Sequence, residues 1–291
     1  MKRLIGILLI AISAASFGTL AIFGRYAYAD GMDIFTVLFI RFGISAVFMT
    51  FVLLLRKEHF PRGQILAQLV GMGALGYVCQ SFLYLTAIKY ASTGLVALLL
   101  YLYPMFVFIL SVMILHEKIS SVKIIALVLA LVGSALTVDP NGGQLIGALM
   151  AIGAALIYSI YIIVGTNVMK HVSAVQSSAI IFASAGAVYG ILTFVNGAHF
   201  PASNAGWLAM LGMIVFSTII SVVTFLAGLE RIGPTNAAML STLEPVVTVL
   251  LAAWLFGERL MPIVMVGGGL ILVAVILLTR SELKKEVRSE K

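Results

Sequence analysis

Two ionisable side chains stand deep inside long apolar stretches of this chain, where a charge must have a reason. Arg41 lies about eight residues into the run 33–55, roughly 12 Å in at 1.5 Å per residue. Glu244 lies near the middle of the run 234–256. At the centre of a bilayer-spanning helix a charged side chain costs about 2.5–3.5 kcal/mol on insertion scales. Arg41 has three readings: its long stem snorkels to the nearer interface, it pairs structurally with another helix, or it recognises a substrate carboxylate. Glu244 is too short to snorkel, so a partner, a water-filled cavity or protonation must offset its burial. Pro245 beside it removes a backbone donor and disturbs the carbonyl four residues back, leaving polar backbone that a cavity can use. Glu244 can thus carry a proton from one side to the other, hold a substrate ammonium, pair with Arg41, or serve helix geometry only.

Polar side chains recur at helical spacing around these two. Tyr77, Gln80, Ser81 and Tyr84 fall at offsets 0, 3, 4 and 7, one face of a helix. Ser217, Ser221 and Thr224 repeat the pattern at 0, 4 and 7, and Ser241, Glu244 and Thr248 add a third face. Tyr101, Tyr103, Tyr158 and Tyr161 supply amphipathic aromatic surface. Such faces either hydrogen-bond neighbouring helices or converge on a polar, aromatic cavity. Their recurrence on several runs favours the cavity. The expected substrate-binding set is Arg41, Tyr77, Gln80, Ser81, Tyr84, Tyr101, Tyr103, Tyr158, Tyr161, Ser217, Ser221, Ser241 and Glu244.

Other motifs do not hold up. Gly71, Gly73 and Gly76 spell G-x-G-x-x-G, but inside an apolar helix, without the strand that a dinucleotide site requires. There, as at Gly186, Gly190 and Gly267–Gly269, small residues let helices approach closely. His116-Glu117 opens like a zinc-protease motif, yet Ser120 stands in place of the second His. His59, His116, His171 and His199 all fall in loops or at helix ends. Cys79 is the one cysteine, so no intrachain disulfide or cysteine metal site can form, and a packing role is expected. No catalytic residue, metal or cofactor is expected, and no Walker A sequence occurs.

The elements that position these residues are transmembrane. Of 291 residues, 62% are hydrophobic and 10% charged, with mean hydropathy +1.16; a soluble domain carries roughly 25% charged residues. A water-soluble globule is excluded. Runs of about 20 apolar residues, enough to cross roughly 30 Å of hydrocarbon, occur at 4–27, 33–55, 64–88, 92–115, 119–138, 144–166, 174–195, 205–229, 234–256 and 261–279, giving an all-α protein of ten transmembrane helices. All Lys and Arg except Arg25, Arg41, Lys89 and Arg259 fall on the side of the N-terminus, while Asp30, Asp33 and Asp139 fall opposite. The positive-inside bias therefore puts both termini in the cytoplasm of an inner-membrane protein. It also accounts for the net charge of +7 without nucleic acid. Lys2, Arg3 and Ala27-Tyr28-Ala29 imitate a secretory signal, but the apolar run between them is too long for one.

The chain also matches itself. Shifted by 141 positions, Tyr84–Ile119 falls ungapped on Phe225–Leu260, pairing Pro104 with Pro245, Glu117 with Glu258 and Ala97 with Ala238. Each repeat holds five runs, an odd number, so the second must begin on the opposite side of the membrane. The expected units are 1–141 and 142–280, inverted repeats, followed by a charged cytoplasmic tail at 281–291. Inverted repeats typify secondary transporters, with the site at the repeat interface near the midplane.

With its paired five-helix halves, Phe17-Gly18 where Trp-Gly is frequent, Arg41, Glu244-Pro245 and Gly257-Glu258-Arg259, the chain resembles the EamA branch of the drug/metabolite transporter superfamily. It departs at His116-Glu117, where the first repeat often has Gly before Glu. The resemblance implies export or exchange of amino acids and similar metabolites through a cavity lined mainly by the first, third, fourth, sixth, eighth and ninth helices. One fixed cation, one acid and several tyrosines suit a small zwitterion, with proton coupling open to Glu244. Nucleotide sugars fit less well, because phosphates call for several Lys or Arg. The alternatives are an intramembrane lipid-modifying enzyme, which needs convergent acids, a metal or a nucleophile and base, and a non-transporting scaffold, which has no hydrated cavity.

Overall fold

The computed structural model describes residues 2–91, 93–137, 145–257 and 261–289. Span ends at 92, 138 and 144, Asp139, the repeat boundary at 141–142, Glu258-Arg259 and the last two residues of the tail lie outside them. Every described element is a helix. The first half comprises α1 (Lys2–Gly18), α2 (Leu20–Ala29), α3 (Ile34–Leu55), α4 (Gly63–Gly71), a π-helical turn (Met72–Tyr77), α5 (Val78–Tyr90), α6 (Thr93–Leu100), α7 (Tyr103–Leu115) and α8 (Ser121–Thr137). The second comprises α9 (Leu145–Val168), α10 (Ala174–Asn196), α11 (Asn204–Ile214), a π-helical turn (Val215–Ile220), α12 (Ser221–Ile232), α13 (Pro234–Leu240), α14 (Leu243–Phe256) and α15 (Pro262–Ser289).

Among the described residues, eight helical runs are long and apolar enough to cross a membrane, and Tyr103–Leu115 and Ser121–Leu136 are shorter apolar helices. The fourth expected run is split between α6 and α7 just ahead of Pro104, and the ninth between α13 and α14 just ahead of Pro245. Proline without an N–H is tolerated in a first turn but not in a helix interior, so both repeats break at the same place. The third run of each half carries its π turn, within two residues of repeat register.

Packing follows the repeat. α3 lies on α10 and α8 on α15, each a helix against its own counterpart. α1 packs on α12 and α14, and its counterpart α9 packs on α5 and α7. Glycines permit the tightest crossings: a Cβ on Gly133 would sit 2.7 Å from the Gly267 carbonyl, and one on Gly73 2.4 Å from that of Ile181. Gly71 and Gly269, expected to do the same, would meet nothing within 4 Å. The exterior is apolar, with Phe194 90% and Trp254 79% exposed, as lipid contact requires. Cys79 also lies exposed rather than packed inside.

Candidate functional site

A cavity of about 980 Å³ opens between the halves. Phe17, Leu20, Gly24, Arg25 and Tyr28 of α1 and α2 form one wall; Ile34, Val37, Leu38 and Arg41 of α3 form the next. Tyr77, Gln80, Ser81 and Tyr84 come from the third run, Leu100, Tyr101 and Tyr103 from the fourth, Tyr158 from α9, Met213 from α11, and Glu244, Pro245, Thr248 and Val249 from α14. Of the expected site residues, Arg41, Tyr77, Gln80, Ser81, Tyr84, Tyr101, Tyr103, Tyr158 and Glu244 thus share one cavity. The wall from α3, the second run, is additional to the helices the resemblance implied.

Tyr161, Ser217, Ser221 and Ser241 lie behind the wall, all buried. Tyr161 packs edge-on to Tyr77, centroids 5.7 Å apart, and stacks on Tyr158 at 5.9 Å. Ser217 Oγ hydrogen-bonds Thr19 Oγ1 at 2.8 Å. The Ser221 hydroxyl donates to the Thr218 carbonyl, and the Ser221 carbonyl accepts from Ser13 Oγ at 2.7 Å. Ser241 donates back to the Ala237 carbonyl. Each therefore ties helices together or bonds its own helix.

Arg41 does not snorkel. Its side chain is buried, 4% exposed, with Nε donating to Thr218 Oγ1 at 2.6 Å and Nη2 to the Ser217 carbonyl at 2.8 Å. Glu244 is not mid-helix: the break at Ser241–Thr242 puts it in the first turn of α14. There the positive end of the helix dipole faces a carboxylate, worth roughly 0.3–1 kcal/mol. Among the described residues Glu244 makes no ion pair within 4.0 Å, with Arg41 or otherwise. Gly18 explains how α1 passes so close: a Cβ there would sit 3.0 Å from the Glu244 carbonyl. Thr248 pins the same crossing, donating to the Gly18 carbonyl at 3.0 Å.

Aromatic rings connect the wall, with Tyr103 and Tyr158 edge-on at 4.9 Å and Phe42 and Tyr77 at 5.1 Å. Sequence reasoning missed Arg25 and Tyr28. Both line the cavity while remaining exposed, which places them at its mouth, and Arg25 Cζ lies 4.1 Å from the Phe256 ring centroid. Arg25 entered the sequence reading only as an outer-side charge and Tyr28 only within the imitation cleavage site.

A bundle of apolar-surfaced helices around an internal polar, aromatic cavity defines a multi-pass membrane protein of the transporter class. The family model of the EamA-like transporter family matches residues 4–139 and again 145–280, and the chain belongs to that family. It is similar to the uncharacterized transporter YcbK of Bacillus subtilis, 25% identical over 281 residues covering 91% of this chain and 89% of that one. An uncharacterized transporter of Archaeoglobus fulgidus is 27% identical over 271 residues, 93% of this chain and 95% of its own. A crystal structure of a protein 19% identical superposes with TM-score 0.84 over 98% of this chain and 99% of that one, which shows the same fold.

Proposed function

We propose that this chain is a secondary transporter, exporting or exchanging amino acids or related small zwitterions by alternating access. In this reading it crosses an inner membrane ten times, as repeats 1–141 and 142–280 of opposite topology with the tail 281–291, both termini cytoplasmic. The split α6–α7 run and α8 supply the two crossings beyond the eight long ones. Reciprocal packing of the halves supports the inversion.

One observation carries the substrate class: the Arg41 guanidinium and the Glu244 carboxylate, not paired to each other, face one cavity among tyrosines, with Arg25 towards its mouth. An amino acid presents the opposite arrangement, a carboxylate and an ammonium on an apolar body. The volume lies at the upper end of the usual range for small-molecule pockets, about 300–1,000 Å³. An intramembrane enzyme would need a second acid or a nucleophile and base beside Glu244, and Glu244 is the one carboxylate among the described lining residues.

The test is uptake of radiolabelled L-amino acids, nucleosides and organic anions into proteoliposomes, with and without a pH gradient. The reading expects saturable movement of at least one amino acid, competed by other zwitterions. Transport confined to organic anions, or none of any class, would sink it.

A further inference from the structure

Resting on that reading, we propose that Thr218, which does not line the cavity, is a positioning residue: it fixes the Arg41 guanidinium so that one hydrogen-bonding edge stays directed at a substrate carboxylate. A guanidinium has five N–H donors arranged in forks. The edge formed by Nε and Nη2 is committed, to Thr218 Oγ1 at 2.6 Å and to the Ser217 carbonyl at 2.8 Å. The remaining N–H groups, on Nη1 and the second hydrogen of Nη2, reach only the Tyr77 hydroxyl among the described partners, and Arg41 and Tyr77 both line the cavity. A carboxylate fits such an edge bidentately, the strong, directional form of this interaction.

The acceptor is itself held. Threonine in a helix ordinarily bonds a carbonyl three or four residues back. Thr218 donates to the Met213 carbonyl, five residues back, at 2.9 Å, a reach that the π turn Val215–Ile220 permits. With its one proton spent there, Thr218 Oγ1 can only accept from Arg41. Thr218 and Ser217 are fully buried, so water does not compete for the tether. The Phe42 ring, 5.0 Å from Arg41 Cζ, adds a cation–π contact. The tether also joins the halves: Arg41 belongs to the first, its holders to the second. π turns are rare and concentrate at functional sites; this one has a task in setting the direction of a charge.

Two measurements test it. In ¹⁵N-arginine-labelled protein in detergent, the Arg41 Nε–H resonance, assigned by its loss in Arg41→Gln, should exchange slowly with solvent. It should stay so in Thr218→Ser, which keeps the hydroxyl, and exchange at least about tenfold faster in Thr218→Val, which keeps the shape. Should Thr218→Val fail to fold, Thr218→Cys, a poor acceptor of similar size, replaces it. Slow exchange surviving in the variant without a hydroxyl overturns the proposal.

The second measurement is binding of L-phenylalanine against its carboxamide, with L-leucine and L-threonine pairs as further probes. Wild type and Thr218→Ser should prefer acid over amide alike. Thr218→Val should lose about tenfold of that preference, and Arg41→Gln all of it. If Arg41→Gln loses the preference but Thr218→Val keeps it, the positioning role is wrong and the substrate reading stands. If Arg41→Gln keeps it, or wild type binds none of the amino acids, the substrate reading falls and the resonance alone decides the tether.

Discussion

Glu244 begins α14 with its carboxylate in the cavity and no countercharge within 4.0 Å among the described residues, which gives a sharp expectation for one substitution. Glu244→Gln keeps size and most hydrogen bonding while deleting charge and titration. Losing one partner of a buried charge contact typically costs about 2–5 kcal/mol, so transport at sub-saturating substrate should fall at least about thirtyfold. If the carboxylate carries a proton, dependence on the pH gradient vanishes while exchange of substrate for substrate survives; if it holds an ammonium, KM rises in both assays. A well-folded variant with wild-type rate and pH dependence would make the residue structural. Sequence reasoning could find Glu244, Arg41 and the tyrosines because a charge in an apolar run and a 0, 3, 4, 7 face are both visible as letters. It could not place Ser217 and Ser221, because the π turn at Val215–Ile220 shifts the helical register and turns them toward α1. The face on α5 follows its own π turn and keeps regular spacing.

At the scale of elements, the departure at His116 becomes a stability prediction. His116 ends α7 with φ +53°, in the left-handed region, and its repeat equivalent Gly257 ends α14 with φ +66°. Left-handed backbone costs an L-residue about 1–2 kcal/mol, part of which glycine gives back through its freer unfolded chain. His116→Gly should therefore stabilise the detergent-solubilised protein by about 0.5–1 kcal/mol and Gly257→Ala should destabilise it. Thermal unfolding reads both, and a lower melting temperature for His116→Gly would contradict the argument. A second element-level prediction concerns Asp33, which caps α3 by accepting from the Phe35 N–H at 2.8 Å and the Thr36 N–H at 3.1 Å. Partial burial works to raise its carboxyl, but the Thr36 hydroxyl and N–H, the Phe35 N–H and His199 outweigh that and hold it below the usual carboxylate range. A depressed folded value means that the cap's charge-dependent contribution is complete above about pH 4 and is lost as pH falls through the folded value below it. Asp33→Ala should cost about 1 kcal/mol at pH 7, while Asp33→Asn should keep most of the cap and show a flatter loss of melting temperature below pH 4. An unchanged acid profile in Asp33→Asn would assign that loss to other groups. The Gly-or-His choice at 116 and 257 was legible as residues, whereas the cap at Asp33 and the strain at His116 depend on backbone geometry that no spacing encodes.

At the scale of the whole molecule, the cavity occupies one end of the bundle and dense packing the other. Its walls run from Glu244 and Tyr103 to the mouth at Tyr28 and Ile34, beside the α2–α3 connection. At the opposite end α1 and α12 close on each other: a Cβ on Gly6 would meet Ile232 at 2.6 Å, and one on Gly228 would meet Ile10 at 2.7 Å. Glu117 adds a polar tie there, bonded by buried Lys123 and by Thr235 across the halves. The two-repeat plan was readable from the 141-residue self-match, whereas which end stands open follows from side-chain packing alone. Under the proposed topology the open end faces outward. Alternating access then demands that the closed end loosen when the mouth shuts, and single cysteines in a Cys79→Ser background can follow this. Cysteine at Tyr28 or Tyr84 should react with a membrane-impermeant maleimide applied from outside, and cysteine at Ile10 or Leu229 should not react from the cytoplasmic side. While substrate turns over, the inner positions should become reactive and the outer ones less so, because two halves rocking about one site alternate which end is open; a cross-link between cysteines at Arg25 and Phe256, which already touch with the mouth open, should hold the resting pattern. If the inner positions stay unreactive while substrate turns over, or Tyr28→Cys labels from the cytoplasm, the rocking motion or the orientation is wrong, and which position reacts tells the two apart.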